Sequence, residues 1–295
     1  MISNQSSLLF NKSTENKIAQ FLSNPSHALL ITGPDSGGKT TVLNSIAAKL
    51  LDLAEDSLKN SPNVLFVVPE EDKKGISIDA VHKINHFLSL AIPNPSKNGI
   101  KRLVIIDDAN KLSLDAQNAL LKNLEEPPKD TVFLLSARNH IELLPTIISR
   151  LTVIKLTNPP KKELKQFLIN EFKISDATAE KAINMSGGIV GLSIAICLNT
   201  ADHNLIKASE TARTLLSGKR YTKVALINKL TKNLDLTKDT LYILQQMASQ
   251  SLESSKNEAQ AKKWQDILTS TYKAERQIDK NNNLRLTLTS LMLHL

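Results

Sequence analysis

The sequence predicts an α/β fold in which a parallel-sheet domain with a phosphate-binding loop is followed by helices. Three observations predict this fold. Apolar, β-rich runs alternate with helical patterns, a glycine-rich loop directly follows the first run, and the β-rich runs stop at Asn158-Pro159-Pro160. The chain has 295 residues, which corresponds to about two domains, or three if one is small.

The predicted strands are short runs that are mostly apolar throughout, as expected for a parallel sheet covered on both faces. They are Ala28–Thr32, Val64–Val68, Leu103–Asp107, Thr131–Ser136 and Thr152–Leu156. Helices are predicted between them where apolar residues recur every three or four positions, at Thr41–Ala54, Ile78–Ala91 and Leu114–Glu126. Ser77 and Ser113 are candidate caps of the last two helices. Strand–helix alternation of this kind is typical of a parallel βαβ sheet.

After the two prolines the pattern becomes helical. Helices are predicted at Lys161–Phe172, Ala177–Met185 and Leu192–Leu198. From about Asn204 to Leu295 the sequence is amphipathic, contains a single glycine and lacks proline, which predicts a helical bundle. We therefore predict domain boundaries at 1–158, 159–203 and 204–295.

Charge and composition narrow the function classes. The net charge is +8, of which residues 1–160 contribute +1 and residues 161–295 contribute +7. This basic excess fits either contact with a polyanion such as DNA or a solvated lysine-rich surface. Aromatic residues make up 4% of the chain, so stacking on bases is not expected to be the main role.

Several classes are not expected from the sequence. It has no apolar run of about 18 residues, so no membrane contact is expected, and Met1–Asn11 lacks the pattern of a secretory signal. The single cysteine, Cys197, excludes an intramolecular disulfide and a cysteine-based zinc site within one chain. These features indicate a cytoplasmic protein.

The glycine-rich loop matches the pattern G-x-x-x-x-G-K-[ST], between an apolar strand and an amphipathic helix. Its backbone N–H groups would surround phosphates, Lys39 would reach the outer phosphates, and the Thr40 hydroxyl would bind Mg²⁺. The alternative is a glycine-rich turn with a surface lysine. The candidate nucleotide-binding residues are Gly33, Pro34, Asp35, Ser36, Gly37, Gly38, Lys39, Thr40 and Thr41.

A second candidate element is the acidic pair at the end of the third predicted strand. Asp107 follows an apolar run, at the edge of the sheet where ligands of open α/β sheets bind. It is predicted to hold Mg²⁺ together with Thr40, and Asp108 is a candidate for orienting an attacking water. The alternative, a solvated acidic turn, is less favoured because a phosphate loop precedes the pair.

The sequence resembles the clamp-loader branch of the AAA+ ATPases, strongly over residues 30–160 and weakly beyond. Asn118–Pro128 (NALLKNLEEPP) after an Asp-Asp strand is the most specific part of the likeness. The other matching stretches are His27–Leu30, Asn63–Leu65, Ile76–Asp79 with Val81, Val104–Ala109 and Leu144–Arg150. The resemblance implies an AAA+ phosphate-loop domain, a small helical lid and a C-terminal helical collar.

What the resemblance implies about function is a subunit of a hetero-oligomeric ring that binds ATP and Mg²⁺ at subunit interfaces. Such an assembly opens a sliding clamp and places it on primed DNA. Ser149-Arg150 matches the family's Ser-Arg-Cys motif, whose arginine enters the neighbouring subunit's ATP site. Leu151 replaces the cysteine. The alternative for Arg150 is a structural ion pair after a strand.

Four departures from the family's pattern bear on whether this chain hydrolyses ATP. Asp108 stands where ATPases of the family usually have glutamate, and Arg138 lies near a position usually occupied by threonine or asparagine. The turn at Ser186–Gly191 lacks the arginine of active relatives, and Leu51–Pro62 lacks the cysteines of a zinc module, so no zinc is expected. These departures favour a subunit with weak or absent ATPase activity of its own.

Three hypotheses follow. The first is a loader subunit whose Arg150 completes a partner's active site. The second is an enzyme, either the motor ATPase of the loader or an independent P-loop ATPase. The third is a structural ring element whose phosphate loop is a relic.

Overall fold

The computed structural model describes residues 9–33, 37–69, 75–92, 99–139, 141, 143–198, 204–255, 257–280 and 282–295. Within these residues the chain forms two compact units. The first ends at Thr157 and the second begins at Asn158. The further division of the second unit at residue 203 stays a prediction.

In the described part of the first unit, five parallel strands form one sheet with the order β2-β3-β4-β1-β5. The strands are β1 (Ala28–Thr32), β2 (Val64–Val67), β3 (Arg102–Ile106), β4 (Thr131–Ala137) and β5 (Thr152–Lys155). The register places Leu30 of β1 opposite Leu135 of β4 and Val153 of β5. The predicted parallel sheet is confirmed, and β3 ends at Ile106, so that Asp107 is the first residue beyond it.

Helices cover both faces of this sheet. They are α1 (Lys12–Ser23), α2 (Lys39–Leu51), α3 (Ile78–Ser89), α4 (Leu114–Glu125) and α5 (Pro145–Ile148), with 3₁₀ turns at Glu55–Asn60 and Ala109–Lys111. Alternate strand residues enter two separate cores, as the period of a strand requires. Leu29 and Ile31 pack with α1 and α2, whereas Leu30 packs in the core that includes α3 and α4.

The helix ends agree with local sequence signals in some places and not in others. Ser113 caps α4 by accepting a hydrogen bond from the Ala116 N–H at 3.1 Å, as predicted. Ser77 occupies the capping position of α3 but its side chain makes no capping bond. Helix α2 begins at Lys39, two residues before the predicted start, and ends where Asp52 has a φ of 57°. Helix α1, capped by Asn11, was not among the predicted elements.

The second unit is helical in its described residues. Its helices are α6 (Lys161–Phe172), α7 (Asp176–Ser186), α8 (Val190–Cys197), α9 (Asn204–Ser217), α10 (Arg220–Leu230), α11 (Leu234–Glu253), α12 (Glu258–Asp279) and α13 (Leu284–Met292). Gly187 directly follows helix α7; its φ is +63°, and a Cβ added there would lie 2.7 Å from the Gln246 Cβ. Both the backbone conformation and the close approach therefore require glycine there.

Lys165 joins α6 to α7 through ion pairs with Asp176 at 2.8 Å and Glu180 at 3.0 Å. Hydrogen bonds to these carboxylates raise the pKa of the Lys165 ammonium, and the bond from Lys165 lowers the pKa of Glu180.

None of the helices in the described ranges is long and apolar enough to cross a membrane.

Candidate functional site

The described residues that are predicted to bind nucleotide lie where the parallel strands of the first unit end. Gly33 follows β1 and Asp107 follows β3, with β4 lying between these two strands. The Gly33 N–H donates to the carbonyl of Ala137, the last residue of β4, at 3.2 Å. The carboxyl edge of the sheet therefore brings the phosphate loop and the acidic pair together, as predicted.

The phosphate loop leads directly into helix α2. Gly38 has a φ of +85°, which only glycine adopts readily, and Lys39 is the first helical residue. The Lys39 ammonium donates to the Gly33 carbonyl at 3.1 Å, and Lys39 is 6% exposed. The first turn of α2 includes the backbone N–H groups of Thr40 and Thr41. N–H groups at the start of a helix are suited to binding an anion. Pro34, Asp35 and Ser36, also predicted to bind nucleotide, lie outside the described residues.

Asp107 is the centre of a hydroxyl network. Its Oδ2 accepts a hydrogen bond from the Thr40 hydroxyl at 2.8 Å, and its Oδ1 accepts one from the Ser136 hydroxyl. Ser136 is fully buried in β4, and its hydroxyl oxygen also accepts the N–H of Asp108 at 2.9 Å. The structure thus brings Thr40 and Asp107, the two predicted magnesium ligands, into direct contact.

The sequence pattern does not identify Ser136 as a residue of the site, because the family resemblance singles out Arg138 near this position. A hydroxyl side chain near the end of an apolar strand is the sequence signal that indicates such a residue. A hydroxyl buried there needs a hydrogen-bond partner, and the acidic pair offers one. Arg138 lies just beyond the strand, and its N–H donates to the Asn110 Oδ1 at 3.4 Å.

The backbone N–H of Asp108 belongs to this network, but its side chain contacts Lys111 instead. The φ of Asp108 is 54°, in the left-handed region, and its carboxylate forms an ion pair with Lys111 at 2.9 Å. The side chain is therefore engaged by a residue three positions along the chain. Its predicted role in orienting water stays a prediction.

The residues at this edge fit a magnesium ion that is bound together with nucleotide phosphates. A carboxylate and a hydroxyl are oxygen donors of the kind Mg²⁺ takes, and Mg²⁺ usually completes its shell with water and phosphate oxygens. Among the described residues, no group of three or more His, Cys, Asp or Glu side chains is placed to hold a metal. Thr40 and Asp107 would hold the ion together with phosphate oxygens and water.

Arg150 lies at the end of the sheet where the strands begin, which we call the amino edge. The phosphate loop lies at the other end, where the strands finish. Arg150 precedes β5, whose first residue Thr152 pairs with Leu29, and Leu29 is four residues before Gly33. At about 3.3 Å per residue, this places Thr152 about 13 Å back along the strand direction from the phosphate loop, and Arg150 precedes it. The structure therefore does not bring Arg150 to the site that contains Lys39 and Asp107.

The guanidinium of Arg150 is held at the surface by neighbours on α4 and α5. Nη2 donates to the Glu125 Oε1 at 2.6 Å, and Nη1 donates to the Thr146 carbonyl at 2.7 Å and to the Ser149 hydroxyl at 3.3 Å. The side chains of Arg150 and Glu125 are 33% and 49% exposed. The ion pair of a structural arginine is thus present, but it is open to solvent.

Comparison with known proteins places the first unit in a family. The family model described as "DNA polymerase III, delta subunit" matches residues 10–160. The delta prime subunit of DNA polymerase III from Escherichia coli strain K12 is 31% identical over 170 residues, which cover 57% of this chain and 49% of that protein. The gamma subunit of DNA polymerase III from Buchnera aphidicola subsp. Schizaphis graminum is 30% identical over 188 residues, which cover 60% and 51%.

A solved structure supports the fold along nearly the whole chain. A DNA polymerase III gamma subunit-related protein from Thermotoga maritima is similar with a TM-score of 0.50 and 21% identity, covering 95% of this chain and 98% of that one. The chain spans about half the length of the sequence relatives that it matches.

Proposed function

Because this chain belongs to the DNA polymerase III, delta subunit family, within the clamp-loader branch of the AAA+ proteins, we propose that it supplies Arg150 to an ATP site on a neighbouring subunit. The chain is a delta-prime-like, clamp-loader-type subunit of DNA replication. The proposal adds that it supports ATP-driven loading of a sliding clamp on primed DNA.

The observation that carries the proposal is the position of Arg150. The side chain is partly exposed at the edge of the sheet opposite the chain's own phosphate loop. A guanidinium there cannot serve the ATP site of its own sheet, but it is available to a partner. A cation that reaches the γ-phosphate in trans stabilises the charge of the transition state and is worth about 10³- to 10⁵-fold in rate in related phosphoryl transfers.

The chain's own site is proposed to bind nucleotide and to hydrolyse it slowly or not at all. The contacts of Lys39 with Gly33 and of Thr40 with Asp107 support this proposal, because they gather a cation and two oxygen donors at the phosphate loop. When bound, the magnesium ion neutralises charge on the phosphates. Asp108 is one methylene shorter than glutamate and pairs with Lys111, so it is poorly placed to orient water.

The proposed partners follow from the same assignment. They are other loader subunits in a hetero-oligomeric ring, joined through the helical C-terminal part, and through the assembly the sliding clamp and primed DNA. The proposed location is the cytoplasm. A second candidate, the motor ATPase of the loader, is retained because a relative named as a different subunit, gamma, is about as similar to this chain as the delta prime relative.

The decisive experiment uses the loader assembly purified with this chain from its source cell. Arg150→Ala should leave the thermal melting of the chain unchanged and lower clamp- and DNA-stimulated ATP hydrolysis, by about 10³-fold at the one site that Arg150 serves. Lys129→Ala is a matched control, because Lys129 is an exposed cation on the loop between α4 and β4. Unchanged hydrolysis with Arg150→Ala would contradict the proposal.

The isolated chain separates the candidates. Steady ATP turnover by the purified chain alone, abolished by Lys39→Ala, would favour the motor ATPase. Failure to bind nucleotide in a titration would favour a structural ring element with a relic loop.

A further inference from the structure

The NLEEPP segment that carries much of the sequence resemblance ends helix α4, and its first glutamate, Glu125, contacts Arg150. We propose that Glu125 is a positioning residue that holds the Arg150 guanidinium ready for the neighbouring ATP site. This inference rests on the proposed function of Arg150.

The pairing leaves donors free for a ligand. An arginine has five N–H donors in a planar fork. The contacts described for Arg150 use three of them, one to Glu125 and two to the 146–149 turn. The other two N–H donors make no contact within the described residues, so they are available to phosphate oxygens. Glu125 therefore does not have to release Arg150 before a phosphate binds.

The elements that carry the two side chains are fixed by packing. Leu124, next to Glu125 in the last turn of α4, is 1% exposed, and Ile147 of α5 is 0% exposed. The Glu126 N–H donates to the Lys122 carbonyl at 3.0 Å, which closes the helix before Pro127. The backbones on both sides of the Glu125–Arg150 pair are thus held independently of the pair.

The pair contributes little to folding. Both side chains are partly exposed, and ion pairs of this kind add about 0 to 1 kcal/mol. The pair instead restricts the conformations of the Arg150 side chain. A long side chain that is already ordered loses less conformational entropy when it binds a ligand. Ordering one such side chain changes binding by about 2- to 10-fold.

The neighbouring glutamate provides a matched control. Glu126 is exposed, carries the same charge one position along the chain, and makes no ion pair within the described residues. Glu125→Gln keeps the shape and an acceptor oxygen but removes the charge. Glu125→Ala removes the contact completely.

The first measurement uses the purified chain. The rate at which phenylglyoxal modifies Arg150 is followed by peptide mass spectrometry. We expect Glu125→Ala to raise this rate by about 2- to 10-fold, Glu125→Gln to raise it less, and Glu126→Ala to leave it unchanged. Equal rates in Glu125→Ala and Glu126→Ala would overturn the inference, whether or not Arg150 acts in trans.

The second measurement uses the loader assembly. Glu125→Ala should lower kcat by about 2- to 10-fold with the KM for ATP unchanged, and the double variant with Arg150→Ala should be no slower than Arg150→Ala alone. A faster kcat would overturn the inference, because Glu125 would then restrain Arg150. If Arg150→Ala itself has no effect, the proposed function fails, and the inference fails with it even if the modification rates change as expected.

Discussion

The two edges of the parallel sheet place their cations in opposite ways. At the carboxyl edge, Lys39 is 6% exposed and lies beside the network of Thr40, Asp107 and Ser136. At the amino edge, the Arg150 side chain is 33% exposed and its ion-pair partner is open to solvent. A buried cation is suited to a ligand bound within its own module, whereas an exposed one is suited to a ligand brought by another molecule. This difference in exposure supports the proposal that one end of the sheet binds a phosphate of this chain and that Arg150 acts on a phosphate bound by a neighbouring subunit.

Arg150→Ala is expected to have the largest effect, on ATP hydrolysis by the loader assembly. The next largest is expected for Lys39→Ala, on ATP binding at the carboxyl edge. Loss of a charge-assisted hydrogen bond to phosphate should weaken ATP binding by the purified chain by about 10- to 100-fold. A fluorescent ATP analogue titrated against the chain measures this. Lys49→Ala, an exposed lysine of the same helix, serves as the control. If both variants bind alike, the carboxyl edge is not a phosphate site and the comparison breaks down.

Asp107→Asn tests the magnesium assignment at the carboxyl edge. The amide cannot accept the hydrogen bonds of both Thr40 and Ser136 as the carboxylate does. We expect affinity for ATP with Mg²⁺ to fall about 10-fold, and affinity measured with a chelator present to change much less. Equal losses in the two conditions would show that Asp107 supports the loop rather than the metal.

The smallest expected effect is that of Ser136→Ala on stability. The substitution leaves the Asp108 N–H without its acceptor and removes a donor to Asp107. This should cost about 1 to 2 kcal/mol, or about 2 to 4 °C in the melting temperature of the chain. Ser89→Ala, at the exposed end of α3, should change it far less. A neutral Ser136→Ala would mean that the network adds nothing to the fold.

Much of the fold could be predicted from local patterns. Apolar runs correctly located the five strands that the described residues form, and α6 has the predicted bounds of Lys161–Phe172. Helix α1 was not anticipated. The N–H of Asn11, the N-cap of α1, donates to the Thr157 carbonyl, and the hydroxyl groups of Thr14 and Thr157 are hydrogen-bonded to each other. These contacts join residues more than 140 positions apart, which a local sequence pattern does not reveal.

The sequence by itself determined the strands, most of the helices, the phosphate loop and the acidic residue that follows β3. These depend on residues that are close in the chain, where hydrophobic periodicity and glycine spacing carry the information. Tertiary structure alone decided that Ser136 would reach Asp107 and that Glu125 would meet Arg150, 29 and 25 positions apart. Such contacts depend on the order in which strands pair and on how helices pack across them, and no local pattern encodes that order.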